Sequence, residues 1–143
     1  MRMRPILIMA AAVALWSQPQ TIAPGGGSRV EAIVEKTGLL SGKKHVLEWE
    51  RFAGTFTVAP GAVELTVEAG SVKVLDDWIG DGKKEDVRKE TVGKDVLNAA
   101  AHPQIRFVST GVSGETSGAF QVNGRLTIRG VTQGVTLAVN PRE

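Results

Sequence analysis

The sequence predicts an all-β fold with one helical insertion, built as an antiparallel sheet that curls into a barrel or sandwich. First, apolar and polar residues alternate with period two along most of the chain, as they do in half-buried strands. Second, the alternating runs are short and separated by glycine-containing turns, which is typical of a meander of about six strands. Third, a single segment, residues 83–102, combines many charges with an alanine run that favours a helix.

The N-terminal residues 1–23 are predicted to be a secretory signal. Two arginines precede an apolar run of 12 residues, 5–16, which is shorter than the roughly 20 residues that span a bilayer. Cleavage is expected either in the alanine-rich residues 10–14 or after Ala23. The alternative is an uncleaved N-terminal anchor. Signal cleavage predicts a periplasmic or secreted protein with no stable membrane span.

Residues 24–28 are predicted to be a flexible linker, and the domain proper is predicted to extend over residues 29–143. Its first strand is expected over residues 29–36. A long strand over residues 45–60 changes its apolar phase at Gly54, where a bulge or bend would turn a barrel corner. A second long run, residues 61–77, changes phase after Gly70.

The second half of the chain predicts the helix and three further strands. The helix is expected over residues 83–102, as one helix or two short ones, with Gly93 as its weak point. Strands follow over residues 103–112 and 119–130, and the last strand is expected over residues 135–139. The last two form a hairpin around the turn sequence RGVTQG.

Composition excludes several classes of function. The full chain has 17 basic and 15 acidic residues, and removal of Arg2 and Arg4 with the signal leaves 15 of each, so a nucleic-acid partner is not expected. There is no cysteine, and the two histidines, His45 and His102, lack metal-ligand spacing, so no metal site is predicted. No nucleophile motif is present either, and we predict a protein that is not an enzyme, with no catalytic residues and no cofactor.

Three neighbouring residues allow more than one interpretation. We interpret Asp76 and Asp77 as a solvated turn, because their spacing does not match a calcium loop. Trp78 is interpreted as covering the open edge of the sheet, with the cap of an apolar cavity as the alternative.

Two stretches near the C-terminus carry a recognisable pattern, HPQIRFVSTGV at residues 102–112 and GAFQVNGRLTIRGVTQGVTLAV at residues 118–139. They resemble the YceI-like family of secreted bacterial lipocalin-like proteins. In the first, the matching positions are His102, Pro103, Ile105, Phe107, Ser109 and Thr110, with His102 where the family often has tyrosine. In the second, they are Val122, Gly124, Leu126, Thr127, Gly130, Val131, Thr132, Val135 and Leu137. The helical segment also precedes this proline as it does in the family, so the resemblance extends over about residues 29–139.

The resemblance implies an antiparallel lipocalin-like barrel, exported to the periplasm, that holds an isoprenoid or other long apolar lipid in its lumen. By that analogy the lumen would be lined by Val34, Leu47, Trp49, Phe56, Val63, Leu65, Val67, Ile105, Phe107, Phe120, Leu126, Ile128 and Leu137. The alternative is a non-catalytic structural or interaction module that pairs with a partner through open edge strands.

The sequence departs from the family pattern at its C-terminal end. The family usually continues for some tens of residues with a hairpin that closes the barrel. We expect an incomplete or open barrel here. The favoured explanation is C-terminal truncation, followed by a homodimer in which two chains complete each other, and then by an open sheet with a shallow groove.

Overall fold

The computed structural model describes residues 18–25, 27–36, 39, 42–57, 61–114 and 119–140. Within these residues the chain forms nine strands and one α-helix, and a 3-10 turn, Ala69–Ser71, lies between two of the strands. The elements in chain order are β1 (Gln20–Ile22), β2 (Val30–Glu35), β3 (Lys44–Trp49), β4 (Phe52–Thr57), β5 (Ala62–Glu68), β6 (Val72–Val74), α1 (Asp81–Val92), β7 (Gln104–Gly114), β8 (Phe120–Ile128) and β9 (Val131–Val139).

The strands form two antiparallel sheets. The larger has six strands in the order β1-β4-β5-β7-β8-β9, and the smaller has three in the order β2-β3-β6. Every pairing between neighbouring strands is antiparallel, which confirms the predicted all-β class with one helix. Among the described residues the larger sheet does not close on itself, because β1 and β9 are its two edges.

Three strands more than predicted are present. Two arise because two long strands each divide between the sheets, and the third is β1, which lies within the predicted signal. The strand predicted over residues 45–60 breaks at Glu50 and Arg51 into β3 and β4, so the prediction of a corner at Gly54 was wrong. Gly54 instead stays in register between Ile22 and Leu65. A Cβ atom there would collide with the carbonyl oxygen of Glu64, so glycine is required for close strand pairing rather than for a bend.

The second long strand breaks at residues 69–71, near the phase change predicted after Gly70, and the two breaks lie side by side. The amide of Glu50 donates to the carbonyl of Ser71 at 3.1 Å, and the amide of Glu68 donates to the carbonyl of Arg51 at 2.9 Å. The Ser71 hydroxyl donates to the carbonyl of Glu68 at 2.8 Å and accepts from the amide of Arg51 at 3.1 Å. We call these two adjoining segments, residues 49–51 and 68–71, the corner.

The buried core lies where the corner joins the two sheets. The side chains in its centre are apolar and come from both sheets: Leu47, Trp49, Phe52, Val67, Val72 and Val74. The indole Nε1 of Trp49 donates to the carbonyl of Ala69 at 3.2 Å, so its buried polar atom is satisfied within the corner. Helix α1 closes this end, with Val87 and Val92 packed against the core.

Helix α1 is shorter than predicted and ends at Gly93, which confirms that this glycine is a break point. The alanine-rich residues 94–101 form turns rather than helix. They are held to the helix end by bonds from the Leu97 amide to Thr91 (3.0 Å) and from the Ala99 amide to Val92 (3.0 Å). Within the helix, the hydrogen bond that Arg88 donates to Glu85 lowers the pKa of Glu85. No helix in the described residues has the length and apolarity required to cross a bilayer.

The C-terminal hairpin was predicted correctly, but its turn is tighter than predicted. Arg129 (φ 52°) and Gly130 (φ 73°) form the turn alone, and Ile128 pairs with Val131 across it. Two positive φ values in a two-residue loop define a type I′ turn, whose twist matches that of the strands. Strand β9 therefore begins at Val131, not at Val135 as predicted.

We expect Ser71→Ala to lower the free energy of unfolding by about 1–3 kcal/mol, because it leaves buried backbone groups of the corner without their partner. Ser113→Ala, on an exposed position of β7, should change it by less than about 0.5 kcal/mol. Urea denaturation of both variants measures the difference. Equal effects at the two serines would contradict the role given to Ser71.

Candidate functional site

One face of the six-stranded sheet carries most of the predicted lining residues. Phe107 in β7 lies directly between Leu65 in β5 and Leu126 in β8, and alternate residues of each strand share that side. We call this side the inner face. The predicted residues that the register assigns to it are Phe56, Val63, Leu65, Val67, Ile105, Phe107, Phe120, Leu126, Ile128 and Leu137.

The other predicted lining residues lie on the three-stranded sheet. Leu47 and Trp49 are buried in the core, and Val34 is exposed on β2. The same alternation assigns Phe52 and Val122 to the inner face, although they were not among the predicted lining residues. Their period-two spacing from Phe56 and from Phe120 was the available signal.

Burial varies across the inner face. Phe107 is only 4% exposed, and Val67 is similarly buried. At the other end of β4 the exposed fraction of Phe56 is 37%, and on β9 that of Leu137 is 42%. The inner face is therefore an apolar surface that is covered at Val67, Phe107 and Val122 and open to solvent at Phe56, Ile128 and Leu137.

The middle of the inner face is shaped by a close contact between β7 and β8. The Phe107 ring lies over Gly124, where a Cβ atom would collide with the ring and approach the carbonyl oxygen of Val108 to 2.7 Å. A register shift between Ser109 and Gly111 forms a β-bulge in β7, and bulges increase strand bending. Glycine and bulge together allow the sheet to curve around the aromatic ring.

Two clefts near the corner differ in character from the open inner face. One, of about 240 Å³, lies between β6 and α1 and is lined by charged side chains that include Lys73, Lys84 and Glu85. The other, of about 250 Å³, lies beside Trp49 and Phe52. Neither includes the exposed inner-face residues of β9.

A polar cluster of His45, Asp76 and Trp78 lies at the N-terminal end of β3. Asp76 is 2% exposed, and its carboxylate accepts a hydrogen bond from the Val46 amide at 2.7 Å. His45 Nδ1 lies 2.5 Å from the other carboxylate oxygen. The His45 ring also stacks on Trp78 with centroids 5.5 Å apart, and the Trp78 indole donates to the Lys44 carbonyl at 2.9 Å.

This cluster corrects one prediction and decides between two others. Asp77 is exposed, as a solvated turn requires, but the prediction was wrong for Asp76 because both of its oxygens have partners in β3. Trp78 packs over the end of β3, with the ammonium groups of Lys36 and Lys43 at 5.7 and 5.5 Å from its ring. It covers the smaller sheet. Within the described part of the chain, no three His, Asp or Glu side chains are grouped as metal ligands.

We expect Asp76→Ala to lower the free energy of unfolding by about 2–3 kcal/mol, because it removes the acceptor of two partly buried donors. The neighbouring Asp77→Ala should change it by less than about 0.5 kcal/mol. Chemical denaturation of the two variants checks the difference. Equal stabilities would mean that the carboxylate of Asp76 does not hold the end of β3.

The comparisons with known proteins agree with one another. The model of the YceI-like domain matches residues 26–143. A UPF0312 protein of Azotobacter vinelandii is 30% identical over 135 residues, which are 90% of this chain and 69% of that protein. A UPF0312 protein of Shewanella denitrificans is 31% identical over 94 residues, which are 62% of this chain but only 45% of that protein.

Solved structures agree at the level of the fold. BcnA of Burkholderia cenocepacia superposes with a TM-score of 0.63 at 22% identity, over 80% of this chain and 68% of that chain. The YCEI protein of Campylobacter jejuni superposes with a TM-score of 0.55 at 15% identity, over 78% of this chain and 62% of that chain. The relatives are thus longer than this chain. The family model covers the helix and all strands from β2 to β9, and the chain belongs to the YceI-like family.

Proposed function

We propose that this protein binds a long apolar lipid of the isoprenoid class along the inner face of its six-stranded sheet, without catalysing a reaction on it. The observation that carries the proposal is the partial exposure of apolar inner-face residues such as Phe56, Ile128 and Leu137. A soluble protein rarely exposes a contiguous apolar surface without a partner for it. The proposal also agrees with membership of a family of binding proteins.

The geometry supports an extended ligand rather than a compact one. Exposed apolar positions occur on β4, on β8 and on β9, so they are distributed across the width of the sheet. A flexible hydrocarbon chain can follow such a surface, and each Å² of apolar area removed from water contributes roughly 25 cal/mol. The charged side chains beside the corner, among them Lys84 and Arg88, lie away from this surface.

We expect Phe56→Asn to weaken lipid binding at least about tenfold, because burial of a phenylalanine contributes roughly 1.5–3 kcal/mol. Phe56 is partly exposed, so the fold should tolerate the change. Thr55→Asn introduces the same side chain at the adjacent, outward-facing position of β4 and should leave binding unchanged. Titration of the delipidated protein with a fluorescent polyprenyl probe measures both. Equal affinities in two folded variants would contradict binding on the inner face.

Export to the periplasm is the second part of the proposal, and it rests on the charged and apolar N-terminal residues. Most of that segment, residues 1–17, lies outside the described residues. Its predicted end at residue 23 overlaps β1, where Gln20 and Ile22 pair with β4 and Ile22 packs against the core. Retention of β1 favours cleavage in the alanine-rich residues 10–14 over cleavage after Ala23.

The intact mass of protein recovered from the periplasm of an expressing bacterium should correspond to a chain that still contains Gln20. Ile8→Arg interrupts the apolar run and should leave the chain unprocessed in the cytoplasm. A mature chain that begins at Pro24 would contradict the retention of β1. Full-length protein in the cytoplasm, with no processed form, would contradict export.

A further inference from the structure

The connecting end of the β2–β3 hairpin brings two lysine side chains to one aromatic ring. The ammonium groups of Lys36 and Lys43 lie 5.7 and 5.5 Å from the centroid of the Trp78 ring. The Lys36 amide donates to the Lys43 carbonyl at 2.9 Å, so the two residues continue the pairing of the strands and lie side by side. Two like charges are thus held no farther apart than the sum of their distances to the ring. We call Lys36, Lys43 and Trp78 the basic end.

The lysines of the basic end are not neutralised as other cations of the protein are. Arg29 and Arg88 each lie 2.8 Å from a carboxylate oxygen. In the part of the chain that the structure describes, none of the salt bridges includes Lys36 or Lys43. A cation–π contact attracts an ammonium group but leaves its charge uncompensated, so both lysines still attract an anion.

The carboxylates that are close to the basic end in sequence leave it net positive. Glu35 lies opposite Lys44 in the register, and strand alternation places both on the other side of the hairpin. Asp76 is buried, and both of its oxygens have partners in β3. Asp77 is exposed beside Trp78 in sequence and takes part in none of the salt bridges of the described residues. Two lysines therefore face one exposed carboxylate on this side.

Apolar surface accompanies the charges at the same end of the hairpin. Leu39, in the connection between β2 and β3, is fully exposed. Trp78 is partly exposed, and the bond from its indole N–H to the Lys44 carbonyl fixes the ring at 2.9 Å. Tryptophan and lysine together are typical of side chains at a membrane–water interface, where apolar parts enter the lipid and the ammonium groups reach phosphates. A nucleic-acid surface would instead require a longer basic stripe.

We propose that the basic end docks the protein on the surface of an anionic lipid bilayer. Lys36 and Lys43 contact the headgroup phosphates, Trp78 lies at the level of the headgroups, and the Leu39 side chain enters the boundary with the acyl chains. The contact is peripheral and depends on salt, because its charges are exposed to solvent. This docking goes beyond lipid binding on the inner face and does not depend on it.

Vesicle flotation of the protein without bound lipid tests the docking separately from the lipid titration. Vesicles with phosphatidylglycerol should bind the protein, and vesicles of phosphatidylcholine alone should bind it at least about tenfold less. Raising the salt from about 0.05 to about 0.5 M should release most of it. No binding to the anionic vesicles, or equal binding to both kinds, would overturn the proposal. Tighter binding to a DNA duplex than to the vesicles would also overturn it.

A pair of double variants tests whether the basic end is the surface that docks. Lys36→Gln with Lys43→Gln should weaken binding to anionic vesicles about twentyfold, because each lysine near such a surface contributes about fivefold. Arg106→Gln with Arg125→Gln removes the same charge from exposed, outward-facing positions of β7 and β8 and should change binding less than about threefold. Equal losses in the two folded proteins would assign the binding to overall charge and overturn the basic end.

The apolar contribution is tested at Leu39. Leu39→Asn should weaken vesicle binding at least about fivefold, and unlike the effect of the lysines this loss should persist when salt is raised. Ile33→Asn makes the same kind of change at a residue that is 58% exposed on the other side of β2 and should leave binding unchanged. Circular dichroism confirms that each variant is folded. Unchanged binding of Leu39→Asn, or an equal loss in both variants, would overturn the insertion of Leu39.

Discussion

The corner is the constraint on which the rest of the structure depends. Two strands that are far apart in sequence leave the larger sheet at the same place, and both breaks are held by one buried serine. Backbone groups taken out of a sheet ladder and buried must find other partners, and here the Ser71 hydroxyl and the carbonyls of Arg51 and Ser71 supply them. Trp49 fills the space inside the bend and donates its indole N–H to the same segment.

Because the corner brings the two sheets together, the apolar side chains beside it are covered. Phe107 and Val122 are also buried, whereas Phe56 and Leu137 on the same face of the larger sheet are not. Helix α1 packs against the covered end, so the core is complete beside Trp49 and Phe52. Farther along β4, Phe56 has the same phase as Phe52 but is 37% exposed, and Leu137 on the edge strand β9 is 42% exposed. The same alternation of apolar and polar residues thus produces a packed core in one place and an exposed apolar surface in another. Tertiary contacts decide which of the two forms.

The burial of Asp76 beside His45 also depends on contacts between segments that are distant in sequence. A carboxylate in a polar turn is normally solvated, and its neighbour Asp77 is. Asp76 is buried because the chain returns past β3 after β6, which places the carboxylate beside the Val46 amide and the His45 ring, 30 and 31 residues away in sequence. Burial of a carboxylate is tolerated when hydrogen bonds replace its water, and both of its oxygens have such partners.

The sequence by itself determined the strand-rich class, the presence of a single helical segment with Gly93 as its weak point, the C-terminal hairpin, and the side of each strand that is apolar. These properties follow from side-chain periodicity and local turn chemistry, which act over a few residues. Only the tertiary structure decided where the long strands break, why Gly54 and Gly124 are glycine, and which apolar residues are covered. Each of these depends on a contact between segments distant in sequence, and periodicity carries no information about which distant segments meet.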